Sequence, residues 1–381
     1  MKKIVPADIT LGEPLPFSIY DAEGRLLLRQ GLVVSIPDQA ERLVLRGSLL
    51  DENEPPLDPS APPARRQPVA VQAKQSPFEQ FGGLILNLKH VIATALKNPE
   101  QINVTERVGK IARGIQEVCG EDVDSALAAP RVDIQNPYIV VHQIMGAVLV
   151  ELIAKRREIP AEQRLSLICA ALTRDLGQVP MQAELDGHAG PLPAQLRARM
   201  LNHPLRSAEL LQSAGVDDPI WLRAVSCHHE RLNGSGYPKN LMAEAISMGA
   251  RMLAVADMYS AMEKVRPYRN KAHSAQNALK EIYKKKDAEI DGELAHLLVN
   301  QIGLLPPGTI VKLKCGEIGV IKSPTVRAEG ATVYSIYSKS GMVLESPIAR
   351  HTNVPGYEII SLLPLSECRT ALATLKRVWS N

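Results

Sequence analysis

The sequence predicts a mainly α protein, a helical bundle flanked by small β-rich N-terminal and C-terminal modules. Three observations predict it. Over residues 77–303 apolar residues return every three or four positions, the spacing that gives a helix one apolar face. Short β-branched runs punctuated by glycine occupy both flanks, the signature of strands joined by turns. A proline-rich stretch separates the first flank from the bundle.

In residues 1–50, Phe17–Tyr20 reads as a strand, Asp21–Gly24 as a turn with glycine at its last position, and Arg25–Arg29 as the returning strand. Residues 51–76 carry Pro55-Pro56 and Pro62-Pro63 and few large apolar side chains, which predicts a stiff linker. Within 77–303, Gly215 closes one helix and Asp218-Pro219 opens the next, an N-cap followed by proline at the first helical position. A long helix around Gly82–Leu96 is suited either to packing on its own domain or to pairing with a second copy in a homodimer. Residues 304–365 predict a β module, with strands at Thr309–Lys314, Ile318–Ile321 and Thr332–Tyr337 and a turn at Gly316. A last helix is expected over 366–381, from about Ser366.

Composition sets bounds. The 381 residues carry 44 basic and 41 acidic side chains, a net charge of +3, so the basic footprint of a nucleic-acid binder is missing. With 3 Phe and 2 Trp, aliphatic residues must fill the cores. The five cysteines are scattered and never spaced as CxxC, which argues against a disulfide framework or a thiolate zinc site and suits a reducing cytosol. Met1-Lys2-Lys3 leads into Pro6, Asp8 and Glu13, not into the apolar core of a signal peptide. The most apolar helix, Ile139–Ile153, is broken by His142, Gln143 and Glu151, short of the roughly 18 apolar residues a bilayer requires. No membrane segment is expected.

Chemistry concentrates elsewhere. Of nine histidines, His90, His188, His273, His296 and His351 read as ordinary core or surface residues. His142, His203, His228 and His229 fall in apolar helices or near helix ends, alongside Asp175 and Asp257. Adjacent imidazoles at His228-His229 would repel if both were protonated and gain from a shared metal. Asp257 interrupts the apolar run Met252–Met258, where a carboxylate is costly unless paired or bound to a cation. Such a nitrogen and oxygen set suits iron or manganese; the alternative is an unrelated set of buried ion pairs.

Immediately after Glu230 comes Asn233-Gly234-Ser235-Gly236-Tyr237-Pro238. Joined to His228-His229-Glu230, it resembles the signature HHExxDGxGYP of the HD-GYP family, bacterial cyclic di-GMP phosphodiesterases within the HD-domain phosphohydrolases. The resemblance covers most of residues 130–305 and implies an HD-domain-like bundle. By resemblance, His142, Asp175 and Asp257 serve a first metal and Asp175, His203, His228 and His229 a second, with Asp175 bridging. Arg266-Pro-Tyr-Arg269 resembles the stretch after the late aspartate, and Gly303–Gly308 the exit into a β module. In such sites paired metals about 3.5–4 Å apart hold a phosphodiester for in-line attack. The loop Glu230, Asn233, Gly234, Gly236, Tyr237 and Pro238 implies contacts with substrate or with GGDEF-type proteins.

The sequence also departs from the family. Thr173-Arg174-Asp175-Leu176-Gly177-Gln178 stands where the family reads HDxGK. Arg174 replaces a metal-ligating histidine with a group that has no lone pair and stays protonated. Its cation is expected to pair with Asp175 or Asp257. Gln178 replaces a phosphate-binding lysine, Asn233 an aspartate, and Tyr138 a glutamate ligand of some members. Three readings follow: a degenerate member that binds ligand or partner with weak or no hydrolysis, a working phosphodiesterase with an altered site, and a non-catalytic adaptor.

Overall fold

The computed structural model describes residues 2–5, 8–21, 24, 26–34, 40, 43–44, 49–50, 75–188, 190–263, 274–324 and 330–380. Arg266, Arg269, His273 and nearly all of the proline-rich stretch lie outside the described residues.

The bundle opens with α1 (Pro77–Lys97), where Ser76 and Glu79 exchange side-chain and backbone hydrogen bonds in a capping box and Pro77 occupies the first turn. Its buried stripe, Phe78, Phe81, Ile85, Leu88, Val91, Ile92 and Ala95, packs on α2 (Val104–Glu121) and α3 (Val123–Val132). The apolar face is thus used within the chain.

At the centre runs α4 (Tyr138–Arg156), buried at every residue from Ile139 to Ala154. Sequence reading judged this helix too polar to cross a membrane. Its 19 residues and mean hydropathy of 1.5 nevertheless meet that test, because the dense Val, Ile, Leu and Ala outweigh three polar side chains. Instead of lipid, neighbouring helices cover 89% of it: α2, α5 (Ala161–Thr173), α9 (Met248–Glu263) and α11 (Gly292–Ile302). Between them lie α6 (Gln182–Asp186), α7 (Ala194–Ser213), α8 (Pro219–Cys227) and α10 (Ala275–Lys285). The expected start of α8 is present: Asp218 Oδ1 accepts from the amides of Ile220 and Trp221.

The N-terminal module is a small sheet of β1 (Lys2–Lys3), β2 (Ile19–Tyr20), β3 (Leu26–Leu28) and β4 (Leu49–Leu50) in the order β1-β4-β2-β3. The predicted hairpin is its β2–β3 pair. The module meets α2 through Arg107, which donates to Thr10 Oγ1 at 2.6 Å, and Lys110, 3.2 Å from Glu13.

The C-terminal module is a five-stranded antiparallel sheet, β8-β7-β6-β5-β9. The three predicted strands are β5 (Ile310–Leu313), β6 (Ile318–Ser323) and β7 (Thr332–Tyr337). Sequence reading missed both edges, β8 (Val343–His351) and β9 (Ile359–Leu363). β8 is largely exposed and contains Pro347, so it shows no alternation and carries a residue tolerated only where an N–H faces solvent. The final helix also differs: a 3-10 segment, Leu365–Ala371, is interrupted at Cys368 before α12 (Leu372–Arg377). Beyond it Trp379 stacks on Phe78, with ring centroids 5.1 Å apart.

Candidate metal centre

Five elements bring together every described histidine and aspartate predicted for the two sets. His142 comes from α4, Arg174 and Asp175 from the end of α5, His203 from α7, His228 and His229 from the end of α8, and Asp257 from α9. The α5–α7 approach depends on glycine. A Cβ at Gly177 would lie 2.7 Å from the His203 carbonyl oxygen and 2.9 Å from the Ser207 nitrogen, while the Gly177 amide donates to Ser207 Oγ at 2.8 Å. The end of α5 is held by Trp221, whose indole N–H donates to Thr173 Oγ1 at 2.7 Å.

Asp175, His203, His228 and His229 form one group whose donor atoms lie within 4.8 Å of one another. Backbone chemistry sets the histidine tautomers. Pro204 stands inside α7 and has no N–H to give the Met200 carbonyl four residues back; His203 Nδ1–H takes that carbonyl instead, at 2.6 Å. His228 does the same at the frayed end of α8, donating from Nδ1 to the Val225 carbonyl at 2.7 Å. In the neutral form of each ring this leaves the lone pair on Nε2, and the two Nε2 atoms face one another at 3.4 Å, with Asp175 Oδ1 3.4 Å from His203 and 3.7 Å from His228. Burial, reinforced by His228, holds the His229 pKa well below its ordinary value, so the His229 ring is neutral at neutral pH. The other carboxylate oxygen, Asp175 Oδ2, has no hydrogen-bond partner and faces the opposite half, 3.4 Å from Arg174 Nε. Three imidazoles and a carboxylate converging on one point fit a divalent metal of nitrogen and oxygen preference.

The other group, His142, Asp175 and Asp257, is equally compact but does not fit a metal in the same way. Arg174, 1% exposed, fills it. Its Nε donates to Asp257 Oδ1 at 3.1 Å and lies 3.4 Å from Asp175 Oδ2, so the expected pairing is made with both carboxylates. His142 Nε2 is bonded to Asp257 Oδ1 at 2.9 Å. Burial opposes ionisation of Asp175, but the Arg174 charge foremost holds its pKa well below the carboxylate range. Asp257 is likewise held down against burial by His142 and Arg174. Burial and Arg174 together lower the His142 pKa.

Both groups open onto a cavity of about 580 Å³, lined among others by Tyr138, Gln178, Arg231, Tyr237 and Lys285. Tyr138 stacks on His142 and Tyr237 on His229, with ring centroids 5.2 and 4.6 Å apart. Gln178 donates to Gln182 Oε1 at 3.0 Å. Glu230 faces away from the cavity and ties down the loop, accepting from the amides of Lys239 at 2.7 Å and Leu241 at 2.9 Å. Asn233 Oδ1 accepts from the Ser235 amide and hydroxyl, Gly234 has φ +76°, and a Cβ at Gly236 would collide with the Glu230–Arg231 backbone. The Tyr237-Pro238 peptide is cis. Sequence reasoning missed Arg231 and Lys285 as cavity residues, because a basic run such as Lys284–Lys286 looks like a solvated face. It also missed Gly146, whose only signal is a glycine inside an otherwise apolar helix.

A buried bundle that gathers histidines and aspartates from successive helices defines an HD domain, and residues 127–294 match that family. Beside that domain, the His228–Pro238 loop keeps the resemblance to the HD-GYP signature, and similar proteins carry that name or its activity. Over 198 residues it is 27% identical to a cyclic di-GMP phosphodiesterase of Pseudomonas aeruginosa, covering 52% of this chain and 47% of that one. It is 29% identical over 175 residues to 3'3'-cGAMP-specific phosphodiesterase 3 of Vibrio cholerae, covering 46% and 38%. The chain thus spans about half the length of these relatives or less. An HDGYP protein from Bdellovibrio bacteriovorus shares the fold, with a TM-score of 0.52, 15% identity, and coverage of 78% of this chain and 98% of that one.

Proposed function

We propose that this protein binds a 3',3'-cyclic dinucleotide, cyclic di-GMP foremost, at a one-metal HD-GYP site and hydrolyses it weakly or not at all. The observation that carries this reading is Arg174, which sits between Asp175 and Asp257, where the family resemblance puts a metal ligand. Relatives named for cyclic di-GMP and 3'3'-cGAMP supply the ligand class. The cavity suits it: about 580 Å³ lies within the usual range of small-molecule sites. Tyr138 and Tyr237 offer faces for bases and Arg231 offers charge for a phosphate, while Lys285 lines the cavity paired with Glu289.

Iron or manganese held by Asp175, His203, His228 and His229 would polarise a phosphoryl oxygen. The protein's own groups orient the ligand around that point. No second ligand set is left to ready the attacking water, and Gln178 brings no charge to the phosphate. Slow hydrolysis at a mononuclear site is the second reading, favoured by the complete second cluster.

Calorimetry with cyclic di-GMP and with 3'3'-cGAMP in Mn²⁺ or Fe²⁺, alongside chromatography for pGpG and GMP, tests the proposal. Binding with little or no product is expected. Sustained turnover would establish the phosphodiesterase reading. Absence of heat with both ligands would leave the adaptor.

A further inference from the structure

Gly146 stands near the middle of α4, fully enclosed by the bundle. Glycine is among the poorest helix formers, and neither a turn nor a cap needs it there. What needs it is Arg174. A Cβ at Gly146 would lie 2.7 Å from Arg174 Nη1 and 3.1 Å from Cζ and Nη2, so the guanidinium lies against bare backbone, and a methyl there would push it off its acceptors. Every guanidinium nitrogen also has an acceptor: Nε the Asp257 carboxylate, Nη1 the Ala171 carbonyl at 2.6 Å, and Nη2 the His142 carbonyl at 3.3 Å. A random lesion dropped into a metal site would leave a clash or an orphaned donor. Neither is present.

We infer that Gly146 and Arg174 are a matched pair that builds a tethered cation into the first half of the centre, so that the protein holds one metal ion per chain and keeps both carboxylates seated without any. Charge supports the count. Asp175 and Asp257 bring two negative charges and Arg174 one positive, leaving a buried excess of one negative charge that a single divalent ion reverses to one positive. A phosphodiester group, singly negative, then neutralises the centre. The inference rests on the reading of the Asp175 and three-histidine cluster as a metal site for the ion count; the glycine and guanidinium fit stands apart from it.

The experiment uses the full chain as wild type, Gly146→Ala, Arg174→His, the double variant, and His203→Ala as the control that empties the second cluster. Elemental mass spectrometry after Mn²⁺ loading counts ions, and thermal unfolding with and without EDTA reads stability. Wild type is expected to hold one ion, lost in His203→Ala, and Arg174→His two. Gly146→Ala is expected to lower Tm by about 5 °C where Arg174 is present and to leave it unchanged or higher in the Arg174→His background, where nothing occupies the seat. Two ions on wild type, or additive Tm effects, would overturn the inference while leaving the metal reading intact. No ion on any variant would overturn the ion count and the metal reading together. If Arg174→His does not fold, the wild-type count and the Gly146→Ala shift still decide, with Gly146→Ala neutral overturning the matched pair.

Discussion

The two halves of the centre share Asp175 and differ in what faces it. On one side are three imidazoles, two of them with Nδ1–H spent on carbonyls that Pro204 and the end of α8 leave free, so their Nε2 lone pairs converge. On the other side are a guanidinium with all its nitrogens bonded and a histidine already bonded to Asp257. The first arrangement is suited to a cation, and the second contains one in the Arg174 side chain. The difference lies in the supporting backbone as much as in the ligands, since a missing N–H prepares one half and a missing Cβ the other.

The largest effect should come from the residue the halves share. Asp175→Ala removes the bridging carboxylate, empties the second cluster, and leaves Arg174 with Asp257 alone. Breaking a buried charge pair costs about 3–5 kcal/mol, so we expect a steep fall in Tm together with complete loss of bound Mn²⁺. Unchanged metal content would show that Asp175 is not a ligand. Next is Gly177→Ala. The added methyl meets backbone at His203 and Ser207, which cannot swing aside, so α5 and α7 must part at a cost of about 1–3 kcal/mol. Metal affinity should fall with it, because His203 moves away from Asp175.

Pro204→Ala probes the tautomer directly and more gently. The new N–H competes for the Met200 carbonyl, loosening the His203 ring. Disturbing such a supporting bond typically weakens metal binding about 10- to 100-fold, whereas the helix itself should gain from losing proline. Higher Tm of the metal-free protein with weaker Mn²⁺ binding is the expected pair of results. Unaltered affinity would mean that packing alone orients His203.

Much of this was legible in the sequence, for identifiable reasons. His228-His229, Asp257 in an apolar run, and the Asn233–Pro238 loop stand out because burying such groups is costly without a purpose, and the structure brings them together. Arg174 was legible as a misfit, but its accommodation was not: Gly146 lies 28 positions away in another helix, and only tertiary packing joins them. The edge strands β8 and β9 carry too little alternation to declare themselves. Hydropathy alone does not place α4, since a helix buried on every side and one that spans a bilayer share one composition.

The smallest effect is expected where the cavity wall has lost a charge without the fold adjusting to it. Gln178 is half-buried on that wall and ends a polar chain, donating to Gln182, which donates to Asp186 at 2.7 Å. Gln178→Lys would exchange one neutral hydrogen bond, worth about 1 kcal/mol, for an ammonium directed at a ligand phosphate. A charge-assisted bond is roughly twice as strong, but Arg231 and Lys285 already line the same cavity, and their repulsion offsets part of the gain. The net expectation is cyclic di-GMP binding tighter by about three- to tenfold at low salt, with the advantage shrinking as screening shortens the Debye length to about 3 Å at 1 M. Hydrolysis should not return, because the added charge does nothing to remove Arg174. Equal affinity at low salt would put the phosphate away from position 178, and restored turnover would mean that the lost lysine, not the arginine, disables the site.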